Sequence, residues 1–193
     1  DDYMTSKQTV SYAGLFDDVG ADAWYASSVD YVKYGRLMYG TGNNLFQPDA
    51  QMTRAMFAQV LYALEGSPSV RGLSCPFTDA GGSWYTDAVI WAYHAGVVAG
   101  VSATQFAPNE ALTREQMVTM LYGYAGRDEQ LYGSDGALAS YQDQASVSDW
   151  AREAMAWAVS TGVITGTSTT TLAPQKIGTR AEVATVLMQF CEQ

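Results

Sequence analysis

WYTDAVIWAYHAGVVAGVSATQFAPNEALTR, residues 84–114, sets landmarks at fixed intervals: Trp84, Gly100, Phe106, Pro108 and the pair Thr113-Arg114. The same landmarks recur upstream as Trp24, Gly40, Phe46, Pro48 and Thr53-Arg54, and downstream as Trp150, Gly166, Leu172, Pro174 and Thr179-Arg180. The copies are offset by 60 and then 66 residues, and no gap is needed between the Trp and the Arg in any of them. A unit repeated at this period is one supersecondary element, so it sets both the fold and the number of candidate sites.

Each copy predicts two helices. After Thr53, Thr113 and Thr179, apolar residues recur as Phe57, Val60, Leu61, Leu64, as Met117, Met120, Leu121, Tyr124 and as Val183, Val186, Leu187, Phe190. That is i, i+3, i+4, i+7, one face of an amphipathic helix. The Thr is placed as N-cap, and Gln116 and Glu182 complete a capping box in two copies, where the first has Met56. Gly66 and Gly126 are placed to end the first two of these helices in the left-handed conformation. The earlier helix of each copy is expected to start near the Trp and to carry Trp24, Ser28, Tyr31, Val32, then Trp84, Ala88, Trp91, Ala92, then Trp150, Ala154, Trp157, Ala158. Small side chains alternating with rings allow close helix approach.

Gly-rich turns at Gly40, Gly100 and Gly166 lead into Phe-x-Pro or Leu-x-Pro, where the Pro fixes entry to the next helix. A further element, Phe16-x-Asp18, Phe77-x-Asp79 and Tyr141-x-Asp143, precedes the first helix at a spacing of 7 to 9 residues from the Trp. The organisation read from these marks is an N-terminal tail at 1–12, repeats at 13–66, 76–126 and 141–193, and linkers at 67–75 and 127–140. Units of about 50 residues are too small to bury a core alone. Three of them either stack as an open solenoid or close around a pseudo-threefold axis; closure is favoured, because no copy carries a polar capping variant of its helices. The expected class is all-α.

Composition bounds the function. A net charge of −10 argues against a nucleic-acid backbone as partner. No apolar run approaches the length of a membrane span, and the start has neither a signal sequence nor an initiator Met, which suggests a mature fragment or excised module. Seven of the ten cations are Arg, and three of those fall at the equivalent repeat position. Arg is suited to bidentate carboxylate recognition. Cys75 and Cys191 lack metal-ligand spacing, and either pair or remain free thiols. Asp17, Asp18 and Asp22 lack the spacing and terminal Glu of a calcium loop. His94, the sole histidine, has no partner nucleophile, no nucleophile elbow or phosphate loop is present, and similar sites repeated three times do not suit a glycosidase's two unlike carboxylates. The chain reads as non-enzymatic, with no cofactor and no metal.

In order, spacing and threefold recurrence, Phe-x-Asp, Trp, the turn Gly, Phe-x-Pro and Thr-Arg-Ala-Glu resemble the S-layer homology domain, over residues 16 to about 192. The resemblance implies a three-pronged spindle with a central helical bundle, and non-covalent attachment of an exported bacterial protein to a secondary cell-wall polymer linked to peptidoglycan. It implies a cell-wall address outside the cell, and a pyruvylated acidic glycan held in grooves between repeats by Arg54, Arg114 and Arg180. Asp18, Asp79, Asp143, Trp24, Trp84, Trp150, Gly40, Gly100 and Gly166 are the groove neighbours. The alternative is an S-layer-type assembly module acting through protein–protein contacts.

Three departures stand out. The second copy reads Thr113-Arg114-Glu115-Gln116, the first Thr53-Arg54-Ala55-Met56, and the first has Gly35-Arg36 where the others have Ala95-Gly96 and Thr161-Gly162. The first groove is therefore the most altered, with Arg36 as an added cation. On residue type alone, each Arg either contacts ligand, with helix N-terminal amides beside it, or pairs with one of the Asp residues. Each repeat Trp is either a core anchor or a stacking surface for sugar.

Overall fold

A computed structural model describes residues 15–127, 130–134 and 136–193; the tail assigned to 1–12 lies outside the described residues. Among the described residues there are six α-helices and no strand: α1 Ala26–Tyr34, α2 Arg54–Leu64, α3 Thr86–His94, α4 Arg114–Ala125, α5 Arg152–Ser160 and α6 Arg180–Cys191. Short 3-10 turns cover Gln144–Ser146 and Asp149–Ala151. The protein is all-α, with two helices from each repeat.

The second helices begin where the caps predict. Thr53, Thr113 and Thr179 accept from the backbone N–H three residues on, and Gln116 and Glu182 close reciprocal boxes that the first copy lacks. Phe57, Val60 and Leu61, Met117, Met120 and Leu121, and Val183, Val186 and Leu187 are all buried. Gly66 ends α2 with φ +84°. Gly126 does not do the same for α4: its φ is −75°. Arg127 supplies the reason, since its Nε donates to the carbonyl of Tyr124 at 2.9 Å and so satisfies the helix end without a left-handed residue.

The chain forms two compact units, residues 1–50 with 179–193, and residues 51–178. In the first unit α1 packs on α6, the first helix of the chain on the last. In the second, α2 packs on α3 and on α4, and α4 packs on α5. The second helix of every repeat thus takes its partner from the following repeat, and α6 takes its partner from the first.

A pseudo-threefold relation is also visible in the backbone of the second unit. Met52 N donates to Gly178 O at 3.1 Å, Gly178 N to Leu112 O at 2.8 Å, and Leu112 N to Met52 O at 2.8 Å. These residues precede the three N-cap threonines, and the hydrogen bonds make a closed triangle. Met52 and Leu112 are fully buried there, so their amides have no water to turn to.

Candidate functional site

Residue 106 shows how each candidate site is assembled. Asp79 accepts from Phe106 N at 2.9 Å and from Ala107 N at 2.8 Å, while Arg54 Nε donates to Phe106 O at 2.9 Å. The arginine of repeat 1 and the aspartate of repeat 2 therefore hold both polar groups of one residue. The arrangement recurs at Leu172, held by Asp143 and Arg114, and at Phe46, held by Asp18 and Arg180. Between the Phe or Leu and the Pro sits a left-handed residue, Gln47, Ala107 or Ala173, with φ of 55°, 58° and 51°. That conformation is unfavourable for an L-residue, more so before proline. The second aspartate oxygen accepts its N–H in every copy and holds it there.

Burial raises the carboxyls of Asp79 and Asp143, but these backbone N–H bonds, the residue's own amide and the nearby guanidinium outweigh it and leave both below the usual carboxylate range. Burial in turn lowers Arg54 and Arg180; Glu110 and Asp79 oppose this at Arg54, and Asp18 at Arg180. Each arginine is thus coupled by charge to the aspartate of the following repeat, as the structural reading of the sequence allows.

The glycines serve packing. A Cβ on Gly40 would lie 2.7 Å from the Phe16 ring, one on Gly100 2.5 Å from Phe77, and one on Gly166 2.7 Å from Tyr141. The aromatic residue of Phe-x-Asp therefore lies directly on the turn, beside the aspartate that grips the next segment.

Helix N-terminal amides take no part in an anion site. Arg54 N and Ala55 N donate to Glu110 O and Pro108 O, each at 3.0 Å, and the Thr53 side chain takes Met56 N. The same holds at α4 with Lys176 and Pro174, and at α6 with Ala50 and Pro48. The acceptors come from a distant loop, which no local pattern reveals.

The three guanidinium groups differ in their outer nitrogens. Arg114 donates from NH2 to Thr165 O at 2.7 Å, and Arg180 from NH2 to Tyr39 O at 2.5 Å. Arg54, 6 % exposed and stacked 4.8 Å from the Phe106 ring centroid, has its Nε engaged but no protein acceptor for its outer nitrogens among the described residues. The equivalent carbonyl would be that of Ala99, next to Gly100. Among the three turn glycines only Gly100 has a positive φ, +84°. The Ala99 carbonyl accepts no hydrogen bond from Arg54, whereas those of Tyr39 and Thr165 accept from their arginines.

Trp24, Trp84 and Trp150 are not core anchors: they are 67 %, 61 % and 58 % exposed. All three precede their helices, which start at Ala26, Thr86 and Arg152, so the helical spacing that fits them to the core face does not apply. Tyr25 and Tyr85 meet Trp24 and Trp84 edge-on, with centroids 5.2 and 5.1 Å apart. The buried rings of the first helices are Trp91 and Trp157.

Glu115 is a buried carboxylate that sequence reading noted only as a departure. It accepts from Ser148 N at 2.9 Å, Ser148 Oγ at 2.8 Å and Gln175 Nε2 at 2.6 Å. Its signal was the small residue at the same position in the other copies, Ala55 and Ala181, both buried. Arg36 has φ 57° where Gly96 and Gly162 have 72° and 78°. A left-handed arginine costs on the order of 1 kcal/mol. Cys75 and Cys191 are free thiols, and burial raises that of Cys191. His94 ends α3 and donates from Nε2 to Ser74 O at 2.7 Å. No group of three or more His, Cys, Asp or Glu side chains suited to a metal is found among the described residues.

Interlocked helical repeats with one arginine–aspartate clamp at each of three equivalent places define a tandem-repeat module. The chain belongs to the S-layer homology domain family, whose model matches residues 15–58, 76–118 and 140–184. It is 28% identical over 185 residues to the S-layer protein sap of Bacillus anthracis, covering 95% of this chain and 22% of that protein. It is 30% identical over 191 residues to the surface-layer 125 kDa protein of Lysinibacillus sphaericus, covering 95% and 15%. With the exoglucanase XynX of Acetivibrio thermocellus it shares 29% over 180 residues, 92% of this chain and 16% of the enzyme. The chain thus spans under a quarter of the length of each of these relatives. It is a cell-surface module of the anchoring type, associated with the cell wall. No helix among the described residues is long and apolar enough to cross a membrane.

Proposed function

We propose that the chain anchors its parent protein by binding an acidic, pyruvylated cell-wall glycan at the arginine clamps, and that Arg54 provides the principal contact. The observation that carries this reading is the Arg54 guanidinium: almost wholly buried, stacked on Phe106, and without protein acceptors for its outer nitrogens among the described residues. No buried side-chain nitrogen lacks a partner among the described residues, so the outer nitrogens of Arg54 reach the surface, where a ligand carboxylate can accept from both at once. At Arg114 and Arg180 a backbone carbonyl already takes one of them. Among the repeat landmarks, the exposed tryptophans offer apolar faces for sugar rings, whereas the aspartates have both oxygens committed to backbone and act as positioning groups.

The reading is tested by sedimentation with cell-wall sacculi before and after acid extraction of their glycopolymer. Binding that disappears on extraction, and that Arg54→Lys weakens about tenfold or more by removing the bidentate fork, is the expected result. Equal sedimentation with extracted sacculi overturns it. A module working only through protein contacts would instead show concentration-dependent oligomers and no glycan dependence.

A further inference from the structure

Repeat 1 carries two cations at the end of α1 that its sister copies lack. Lys33 stands where the others have Tyr93 and Val159, and Arg36 where they have Gly96 and Gly162. Lys33 Nζ lies 5.7 Å from the Phe16 ring centroid and 5.9 Å from that of Tyr39. No carboxylate among the described residues is within ion-pair distance of it. An ammonium held on aromatic rings keeps its charge available to a ligand, unlike one neutralised by a side-chain partner.

The surroundings connect this ammonium to the arginine clamp of the same unit. Arg180 stacks 4.6 Å from the Phe46 centroid, Phe46 packs 5.5 Å from Phe16, and Phe16 carries Lys33. Tyr39 closes the circuit, since its carbonyl accepts from Arg180 while its ring faces Lys33. That ring is 57 % exposed, an apolar surface on which a pyranose can stack. The Asp18 carboxylate next to Phe16 is spent on the backbone N–H groups of Phe46 and Gln47.

The helix dipole alone accounts for a cation in the last turn of α1. It does not account for Arg36, which occupies a left-handed position that glycine fills without strain in the other two copies. A strained arginine three positions from an unpaired lysine points to a use for the charge.

We propose that Lys33, assisted by Arg36, is a second anion contact next to the Arg180 clamp, taking a negatively charged group on the sugar unit adjoining the one at Arg180. The inference rests on the glycan-binding reading above and extends it. This site accepts a segment with charges on two successive units, carboxylate or phosphate on the second, rather than a single acidic terminus.

Calorimetric titration with three synthetic probes tests it: a methyl hexosaminide bearing one pyruvate ketal, and two disaccharides that add either a carboxylate or a phosphate to the neighbouring unit. The native chain should bind at least one disaccharide about three- to fivefold more tightly than the single-charge probe. Lys33→Ala should abolish that gain, Lys33→Arg should keep it, and Arg36→Gly, which installs the residue of the sister repeats, should reduce it. None of the three should change affinity for the single-charge probe. A preference for the disaccharide that survives in Lys33→Ala, or no preference in the native chain, overturns the proposal and leaves glycan binding intact. Absence of binding to any probe by the folded native chain overturns both.

Discussion

Replacing Asp79 by Asn isolates the clamp from the rest of the fold. The carboxylate accepts from Phe106 N and Ala107 N at 2.9 and 2.8 Å. A bond to an ionised acceptor contributes about 1.5–3 kcal/mol. Asn keeps one carbonyl oxygen and turns an NH2 group towards the other backbone N–H, so one bond is lost and two donors face each other. The expected loss is about 2–4 kcal/mol, which for a chain of this size lowers Tm by roughly 5–15 °C. Ala107, at φ 58°, is the residue released. Thermal and urea unfolding followed by far-ultraviolet circular dichroism measure the change, and Asp17→Asn is the control, because Asp17 holds only the exposed Asn44 side chain at 2.8 Å. The pH dependence has a definite sign. Asp79 and Asp143 are lowered in the folded state, so their stabilisation is complete above the unfolded carboxylate value near 3.9 and is lost as pH falls through their lower folded values. A fall in Tm no larger than that of the control, or acid unfolding of Asp79→Asn superimposable on that of the native chain, would refute the reasoning.

Trp84→Ala should change stability by less than about 1 kcal/mol while weakening retention on sacculi, whereas Trp91→Ala, in the core, should cost about 3–5 kcal/mol; unfolding curves and sedimentation of the two variants separate the roles. Glycan affinity should rise as salt is increased from about 10 to 150 mM, because the net charge of −10 repels an acidic ligand at long range and is screened first, while the short-range bidentate Arg54 contact is screened less. A monotonic fall in affinity over that range, read by calorimetry, would contradict the assignment of binding to a buried guanidinium.

The second helices were legible because their information is local: a Thr cap, a reciprocal Gln116 or Glu182, and apolar residues every three or four positions. Exposure of the repeat tryptophans was not legible. Trp24 shares helical spacing with Ser28, Tyr31 and Val32, but α1 starts at Ala26, and periodicity cannot report that the chain has not yet begun to coil. Gly126 misled in a similar way, since a glycine at a helix end is a left-handed cap only if nothing else satisfies the last carbonyls, and Arg127 does so. The clamps lay further out of reach. That Asp79 and Arg54 meet on Phe106 depends on α2 packing across to the second repeat, a pairing that the spacing of neither motif contains.

Recurrence of the arginine therefore does not by itself mean recurrence of a site. In all three copies Nε donates to the carbonyl of Phe46, Phe106 or Leu172, and this bond is structural: it ties a helix of one repeat to the loop of the next. Selection for folding would keep the arginine at every copy even if none bound a ligand. What distinguishes the copies is the rest of the guanidinium, which the carbonyl beside the turn glycine engages at Arg114 and Arg180 and not at Arg54. Where φ of that glycine is not positive, as at Gly40 and Gly166, the preceding carbonyl caps the arginine; at Gly100, with φ +84°, it does not. The turn glycine at 100 is required because the ring of Phe77 lies where a Cβ would be, and its positive φ adds a second reason. A motif that serves folding and recognition through different atoms of the same side chain can lose recognition in one repeat and keep folding in all three.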